Sequence, residues 1–481
     1  MILTLLFLPL GAAVLSLLAN RRMLDRLLMP AAAGLHMLMV CLLYRTAAGT
    51  GRALLALDRL SWFFLAVLSL LFMATALYSA DYLGRSKMEA YEKRLYAPFL
   101  FLTLFAMTGV TVANHLGLIW VFIEATTLLS APLIMAHKTR HSLEASWKYL
   151  FICSVGIALA FIGLLFLALA AGGAGHAAQL SLPYLLEKGR AFNPVWLKLS
   201  FAFVLVGYGT KAGLAPTHTW LPDAHAEAPA AVSALLSGTL LNCAMLGILR
   251  FYQILMPTAA FPFARSVLMF SGLLSIFVCA VYIFSIKDYK RLLAYSSMEN
   301  MGIIAVGVAA GGLGVLGALM HVAGHSLAKA SLFLASGGIL RRYQSKKTQE
   351  VKGLLKADKP LGALWILGLL ALIAMPPFAS FFSELLIVIR MIGAGMYGAG
   401  FALIALLTVV MAGLTAAILR MALGEPEETA MQYQTSRRER LLAQLPAFLL
   451  LALAIAVNVC LFTPAGAQLR QAAALLGGAE L

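Results

Sequence analysis

The chain has 481 residues, of which 62% are hydrophobic and only 12% are charged, and its formal net charge is +16. Soluble globular domains carry about 25% charged residues, so the composition excludes an ordinary soluble protein and indicates a membrane protein. The basic residues lie between apolar runs rather than in one patch with interleaved aromatic residues, which argues against binding to nucleic acid.

Apolar runs long enough to cross a bilayer recur along the whole chain. A membrane-spanning helix needs about 20 predominantly apolar residues, and about 14 runs meet that length. They lie near residues 2–19, 27–46, 61–79, 96–113, 115–136, 149–171, 199–215, 229–249, 267–286, 292–310, 314–340, 361–390, 399–419 and 442–463. The sequence therefore predicts one all-α, multi-pass membrane domain over residues 1–481, embedded in a lipid bilayer.

The loops on alternate sides of these spans differ in positive charge. Under the positive-inside rule the Lys- and Arg-rich loops face the cytoplasm. These loops carry Arg21, Arg22 and Arg26, Lys87 to Arg94, Lys138 to Lys148, Lys287 to Arg291, Arg341 to Lys359 and Arg437 to Arg440. This assignment predicts that both termini lie on the outer side of the membrane.

No motif for a metal, a cofactor or a nucleotide is evident. The five cysteines, Cys41, Cys153, Cys243, Cys279 and Cys460, fall inside apolar runs and have no CxxC or Cys/His spacing that would hold zinc or an iron–sulfur cluster. The GGAG stretch after residue 171 is not followed by GK[ST], so it does not indicate a phosphate-binding loop. We expect no bound metal and no cofactor.

Two charged residues stand out within the first half of the apolar runs. Glu124 lies in the middle of LGLIWVFIEATTLLSAPLIM, and Lys211 precedes the prolines Pro216, Pro222 and Pro229. A charge at the bilayer centre costs about 2.5–3.5 kcal/mol on insertion scales, so such residues are usually interior, paired and functional. The prolines predict a broken helix beside Lys211, which is where transporters place ion sites. The alternatives are a structural carboxylate and a lysine that caps backbone carbonyls.

A stripe of ionisable groups follows in LMHVAGHSLAKASLFLASGGI. His321, His325 and Lys329 are spaced by four residues, so they share one face of a helix. Imidazole can accept and donate protons near neutral pH, and the stripe therefore suggests a proton relay. A metal site is disfavoured because the stripe has no nearby carboxylate and no third histidine.

Three further sets of ionisable residues are candidates. Glu384 follows a second proline break, MPPFASFFSE, and its recurrence of the Lys211 pattern suggests an internal repeat, of the inverted kind found in transporters. Glu299, in YSSMENMG, fits a functional role and a helix-packing role equally well. His218 and His225 lie beside the first break, where a structural role is favoured over a proton path.

These segments resemble one family of membrane subunits. The stretch KAGLAPTHTWLPDAHAEAPAAVSALLSGTLLNCAMLGILR, from Lys211 to Arg250, resembles the signature of the antiporter-like subunits of respiratory complex I, Mrp-type cation/proton antiporters and membrane-bound hydrogenases. KDYKRLLAYSSMENMGI, HSLAKASLFLASG and MPPFASFFSELLIV extend the resemblance over nearly all the predicted spans. EASWKYLFICSVGIALA, SSMENMG and HSLAKASLF are most similar to component F of hydrogenase-4-type complexes.

The resemblance implies roles for single residues, within a proton-conducting core near residues 96–420. Glu124 and Lys211 resemble the input pair on the fifth and seventh helices. His325 and Lys329 resemble the central relay on the eleventh helix, and Glu384 resembles the terminal position on the twelfth. The departure is Asn242, where some relatives carry a lysine or histidine, so the resemblance implies that water or another side chain bridges the central path there.

The resemblance also implies the function. We expect a proton-translocating subunit of a redox-driven complex in a bacterial inner membrane, with other membrane subunits as partners and with the redox chemistry in those partners rather than in this chain. An Mrp-like cation/proton antiporter, which would move sodium as well, is one alternative. A membrane partner in inorganic carbon uptake and an inert scaffold are the others.

Overall fold

All regular secondary structure in the described residues is helical. The computed structural model describes residues 1–18, 27–45, 54–85, 90–172, 179–426, 430, 437–460 and 463–478. Within these ranges the only β-type pairings are isolated bridges, such as the one between Leu55 and Ala113. The predicted all-α architecture is confirmed.

The helices are numbered here in chain order. They are α1 (Ile2–Leu18), α2 (Met29–Leu42), α3 (Arg59–Arg85), α4 (Ala90–Val112), α5 (Leu116–Ile134), α6 (Arg140–Ala171), α7 (Leu182–Lys188), α8 (Pro194–Ala212), α9 (Trp220–Glu227), α10 (Ala230–Leu255), α11 (Phe261–Tyr282), α12 (Tyr289–Ala310), α13 (Leu313–Tyr343), α14 (Leu354–Ala357), α15 (Lys359–Leu372), α16 (Ala379–Gly393), α17 (Tyr397–Ala422), α18 (Arg437–Cys460) and α19 (Pro464–Ala474). One turn of α10, Leu236–Leu240, is π-helical.

Eight helices in the described part of the chain are long and apolar enough to cross a membrane: Arg59–Leu83, Glu92–Val112, Leu116–Ile134, Arg140–Ala171, Ala230–Leu255, Phe261–Tyr282, Tyr289–Ala310 and Tyr397–Ala422. Shorter apolar helices accompany them, including α1, α2 and α15. The membrane character predicted from composition agrees with these helices, and the number of about 14 spans stays a prediction.

Helix α13 lies at the centre of the molecule. It packs against α10, α12, α15, α16 and α18, and its side chains are buried almost without interruption from Gly314 to Gly337. His321, His325 and Lys329 all lie on this helix and are all buried. The central helix therefore places three titratable side chains away from both solvent and lipid.

Close contacts between backbones hold α6 against α8 and α11 against α12. Gly207 of α8 faces α6 so closely that a Cβ atom on it would lie 2.5 Å from the carbonyl oxygen of Gly156. Gly272 of α11 and Gly302 of α12 approach each other in the same way, at 2.7 Å. Small residues at such crossings are typical of membrane helix packing, and they fix α6, α8, α11 and α12 around the buried polar groups.

Two helices stop where the sequence has its proline-rich segments. Helix α8 ends at Ala212, and Gly213 follows with a left-handed φ of 74°, a conformation that glycine adopts at little cost. The short helix α9 comes next, and its Trp220 donates from Nε1 to the carbonyl oxygen of Thr210 at 2.8 Å. Helix α15 ends at Leu372, before α16 begins at Ala379. Lys211 and Glu384 lie beside these two interruptions.

Candidate functional site

Lys211 lies in the last turn of α8 and is buried. Its Nζ donates to Oγ1 of Thr127 at 2.7 Å and to the hydroxyl of Tyr149 at 2.5 Å. The Nζ also lies 4.6 Å from the centre of the Tyr149 ring, and the Tyr149 hydroxyl is 2.7 Å from Oγ of Ser130. Hydroxyl groups of α5 and α6 therefore hold the ammonium group of α8.

Glu124 lies one turn before Thr127 on α5, on a partly exposed part of that helix. Its Oε1 accepts a hydrogen bond from Oγ of Ser154 at 2.8 Å, whereas its buried Oε2 has no hydrogen-bond partner in the described structure. The Glu124 and Lys211 side chains do not form an ion pair within 4.0 Å, although Glu124 lies one turn from Thr127, which accepts a hydrogen bond from Lys211. The structure brings the two residues into one region without direct contact.

Lys329 is buried in the middle of α13. Its Nζ donates to the carbonyl oxygen of Leu293 at 2.8 Å and to Oγ of Ser296 at 2.6 Å, both on α12. Glu299 lies one turn after Ser296 on α12 and is also buried. The second buried lysine is thus held by a carbonyl and a hydroxyl, with a carboxylate nearby.

His321 joins three helices through hydrogen bonds. Its Nε2 lies 2.9 Å from Oδ1 of Asn300 on α12, and its Nδ1 lies 2.8 Å from Oγ of Ser383 on α16. Asn300 in turn contacts Oε2 of Glu299 through its Nδ2 at 3.4 Å. Sequence reasoning missed Asn300 and Ser383, although each directly follows or precedes one of the carboxylates it identified, Glu299 and Glu384.

Glu299 and Glu384 line one cavity of about 280 Å³. The rest of the lining is almost entirely apolar, with side chains from α15, α16 and α17, and Thr408 adds a single hydroxyl. Two carboxyl groups that are distant in the sequence therefore meet in a mostly apolar space. The sequence placed both in candidate positions but gave no sign that they share a cavity.

Several buried polar atoms on α9, α10, α13 and the segment after α8 make no hydrogen bond of 3.5 Å or less within the described ranges. Both ring nitrogens of His225 and of His325, one ring nitrogen of His218, and Oδ1 of Asn242 belong to this group. Asn242 itself donates to Oγ of Ser326 at 2.8 Å, next to His325. Buried polar groups of folded proteins are nearly always hydrogen-bonded, often to ordered water, so this group is a suitable place for water.

Asp223 lies in an ion-pair cluster beside these histidines. Its carboxylate is 3.2 Å from Nζ of Lys148 and 2.8 Å from the guanidinium of Arg291, so it links α6, α9 and α12. Glu227 pairs with Lys346 at 2.9 Å in the same part of the molecule. These contacts anchor α9, and with it His225, which stacks on Phe333 at 4.9 Å between ring centres.

The side-chain chemistry offers little to a metal ion. In the part of the chain that the structure describes, no three His, Cys, Asp or Glu residues come together in a way that could hold one. The arrangement instead contains groups that can take up and release protons, namely two lysines, buried imidazoles and three carboxyls, with hydroxyls between them. This chemistry suits the transfer of protons.

Comparison with known proteins gives a family match. Residues 113–417 match the family model described as NADH:quinone oxidoreductase/Mrp antiporter, transmembrane. The hydrogenase-4 component F homolog of Methylacidiphilum infernorum (isolate V4) is 35% identical over 377 residues, which are 77% of this chain and 79% of that relative.

Solved structures share the fold at low sequence identity. A chain of the membrane-bound sulfane sulfur reductase, an archaeal respiratory membrane complex, has a TM-score of 0.85 and 20% identity, covering 99% of this chain and 98% of its own. A chain of the Mrp complex from Dietzia sp. DQ12-45-1b has a TM-score of 0.84 and 21% identity, covering 99% and 96%. Both likenesses concern the arrangement of the helices.

Proposed function

Since the chain belongs to the NADH:quinone oxidoreductase/Mrp antiporter transmembrane family, we propose that it moves protons across the membrane as one subunit of a redox-driven complex of the hydrogenase-4 or NADH:quinone oxidoreductase type. The curated relative is named as a hydrogenase-4 component, and the family description names the quinone oxidoreductase and the antiporter. Redox chemistry belongs to partner subunits in this proposal.

The observation that carries the proposal is that two buried lysines in the middle of the polar core, Lys211 and Lys329, have no ion-pair partner in the described residues. Neither Lys211 nor Lys329 has a carboxylate oxygen within 4.0 Å, and each is held by neutral oxygens. A buried charge without a partner is costly, and ionisable residues kept inside membranes usually serve ion or proton pathways. Lysine, unlike arginine, can also release its proton when it is buried.

The first step concerns Glu124 and Lys211. A charge change in a neighbouring subunit moves the Glu124 carboxylate between Ser154 and Lys211, because its Oε2 has no competing hydrogen bond. When the carboxylate leaves, Lys211 transfers its proton inward. The Tyr149 and Thr127 hydroxyls hold the Nζ in both states and reorient their own hydrogen bonds.

The second step crosses the region of unpartnered polar atoms. Water between Asn242, His225 and His325 carries the proton from Lys211 to Lys329. His218 extends this hydrated region toward the end of α8. Asn242 cannot itself change its protonation state, so its role is to hold water through the free Oδ1. This arrangement accounts for an asparagine at the central position.

The third step leads from Lys329 to Glu384. The proton passes to Glu299, one turn after the Ser296 that accepts from Lys329, and then across the shared cavity to Glu384. His321 provides a parallel route. Because Oδ1 of Asn300 only accepts, Nε2 donates to it, and the Ser383 hydroxyl can then turn between Nδ1 at 2.8 Å and the Ser380 carbonyl at 2.8 Å. One hydroxyl rotation thus lets His321 gain or lose a proton.

A partner subunit covers the Glu124 face in this proposal. Exposed apolar side chains, including Val121, Leu128 and Phe151, surround the partly exposed Glu124 on α5 and α6. A carboxylate that faced lipid tails would be costly, whereas a protein surface can satisfy it. Against a potential of about 100 mV each transferred charge costs about 2.3 kcal/mol, which the redox reaction of the partners must supply.

The wider architecture follows the same proposal. Residues 1–481 form one membrane domain of about 14 spans, with the conducting core near residues 96–420 and both termini on the outer side of a bacterial inner membrane. The interruptions between α8 and α9 and between α15 and α16 are the two broken helices of an inverted repeat. Their equivalent association with Lys211 and Glu384 supports this interpretation.

Purification of the tagged chain from native membranes in mild detergent tests the proposal. We expect redox subunits to co-purify, and the reconstituted complex to acidify proteoliposomes when its electron donor is added, without any requirement for sodium. Recovery with antiporter subunits alone, together with sodium-dependent proton exchange, would instead support a cation/proton antiporter.

A further inference from the structure

The cavity that contains Glu299 and Glu384 opens toward the side of the molecule. Three of its lining residues, Leu385, Ile404 and Met411, are 43%, 47% and 39% exposed. They belong to α16 and α17, whose outer faces carry further exposed apolar residues such as Phe401. A molecule dissolved in the bilayer can therefore reach this cavity without crossing the polar ends of the helices.

The cavity combines an apolar wall with two carboxyl groups that have no ion-pair partner in the described residues. Phe381, Val388 and Leu407 provide apolar surface. No Lys, Arg or His of the described ranges lies within ion-pair distance of Glu384, and no hydrogen bond to its carboxyl group is present there. Binding sites for small molecules are typically apolar with a few polar groups that fix orientation, and their volumes begin near 300 Å³.

We propose that this side cavity binds a compact lipophilic amine in its protonated form, which enters from the membrane and places its ammonium group on Glu384 and Glu299. Its apolar body packs against α16 and α17. A bare metal cation is a poorer occupant, because hard cations such as Ca²⁺ take about six to eight oxygen ligands and the side chains of the lining offer only two carboxyls and the Thr408 hydroxyl. The binding proposal does not require that these carboxyls carry protons.

The test follows the reaction of Glu384 with dicyclohexylcarbodiimide, a lipophilic reagent that modifies buried carboxyl groups. Native membranes that hold the intact complex are labelled at fixed pH, and modified peptides are quantified by mass spectrometry. N,N-dimethyloctylamine is the cationic probe, since a tertiary amine cannot be trapped as an amide, and N,N-dimethyloctanamide is its neutral match. We expect the amine to slow labelling of Glu384 several-fold and the amide to have little effect.

Matched variants separate cavity binding from general effects of the amine. Leu407→Trp fills the cavity and should abolish the protection by the amine, whereas Phe401→Trp, on the lipid-facing part of the same helix, should leave it intact. Equal protection by amine and amide, or no protection by either, would overturn the proposal even if the tryptophan variants failed to assemble. A complex that failed to pump protons but still showed protection of Glu384 by the amine would contradict the proposed function and leave the binding proposal intact.

Discussion

In the described part of the chain, the buried arginines and two of the buried lysines have sharply different surroundings. Arg250 contacts both carboxylate oxygens of Asp58, at 2.7 and 2.6 Å, and Arg342 pairs with Asp358 at 3.0 Å. Lys211 and Lys329 are equally buried but have only hydroxyl and carbonyl partners. The same protein therefore neutralises its buried arginines fully and leaves its central lysines uncompensated.

The difference separates structural charges from transferable ones. Arginine stays protonated in proteins, so a bidentate Arg–Asp pair can only fix geometry. It also joins distant parts of the chain, since Arg250 on α10 additionally contacts Ser61 on α3. Lysine without a carboxylate can give up its proton without leaving an unpaired carboxylate behind. This contrast predicts that loss of the arginine pairs affects stability, whereas loss of the lysines affects proton transfer.

The largest effect is expected for Arg250→Met. Removing one partner of a buried ion pair costs about 3–5 kcal/mol, because Asp58 would stay buried without its cation. We expect a clear fall in thermal stability of the purified complex in detergent. Lys148→Met is the control, since this exposed pair with Asp223 should contribute about 0.2–1 kcal/mol. Equal losses from both variants would contradict a structural role for Arg250.

Lys211→Met should abolish most proton translocation while leaving stability nearly unchanged. A barrier increase of about 1.4 kcal/mol already slows a step tenfold, and this variant removes the basic group that Thr127 and Tyr149 hold. The readout is the initial rate of proteoliposome acidification. Lys198→Met, on the exposed part of the same helix, serves as the control and should pump normally. Normal pumping by the Lys211 variant would contradict the assignment of proton transfer to the unpaired lysines.

Tyr149→Phe tests whether a single hydroxyl that contacts Lys211 contributes to proton transfer. The change removes the 2.5 Å contact to Lys211 and the 2.7 Å contact to Ser130 but keeps the aromatic ring. We expect pumping to slow several-fold with little loss of stability. Tyr289→Phe is a matched buried control, because its hydroxyl makes only a 3.4 Å contact to the Ser336 carbonyl. If the two variants pumped alike, the hydroxyl of Tyr149 would have no part in proton transfer.

The smallest effect concerns acid stability. Burial raises the pKa of Asp58, but the charge and hydrogen bonds of Arg250 outweigh it and hold that pKa below its usual value. The pair therefore stabilises the fold above the unfolded-state pKa of about 3.9, and the contribution is lost as the pH falls through the folded-state pKa. Asp58→Asn should flatten the fall in stability at acidic pH. An unchanged acid profile would contradict this assignment.

The sequence was most informative where a charged residue interrupted an apolar run. Glu124, Lys211, Lys329 and Glu384 could be identified because a charge within an apolar run is rare and costly. The all-helical fold was predictable for the same reason, since successive apolar runs leave few other solutions in a bilayer. Helix bounds were less exact: the predicted run 361–390 is two helices, α15 and α16, separated by the MPPF segment.

The partners of those charges could not be predicted. Thr127, Tyr149 and Ser296 belong to residue types that occur throughout membrane helices, so only the packing of α5, α6 and α12 against the lysines distinguishes them. The shared cavity of Glu299 and Glu384 likewise depends on how α12, α16 and α17 meet. The sequence shows which charged side chains are costly to bury, whereas their hydrogen-bond partners depend on how the helices pack.

The most direct test of the central claim is the number of protons translocated per electron by the complex that carries Lys329→Met. The variant removes the buried lysine that, in the proposed path, connects the polar region near Asn242 with the Glu299–Glu384 cavity, and it leaves the redox subunits unchanged. We predict that electron transfer continues while the ratio of protons to electrons falls. An unchanged ratio with normal electron transfer would contradict the claim that this chain carries protons through its unpaired lysines.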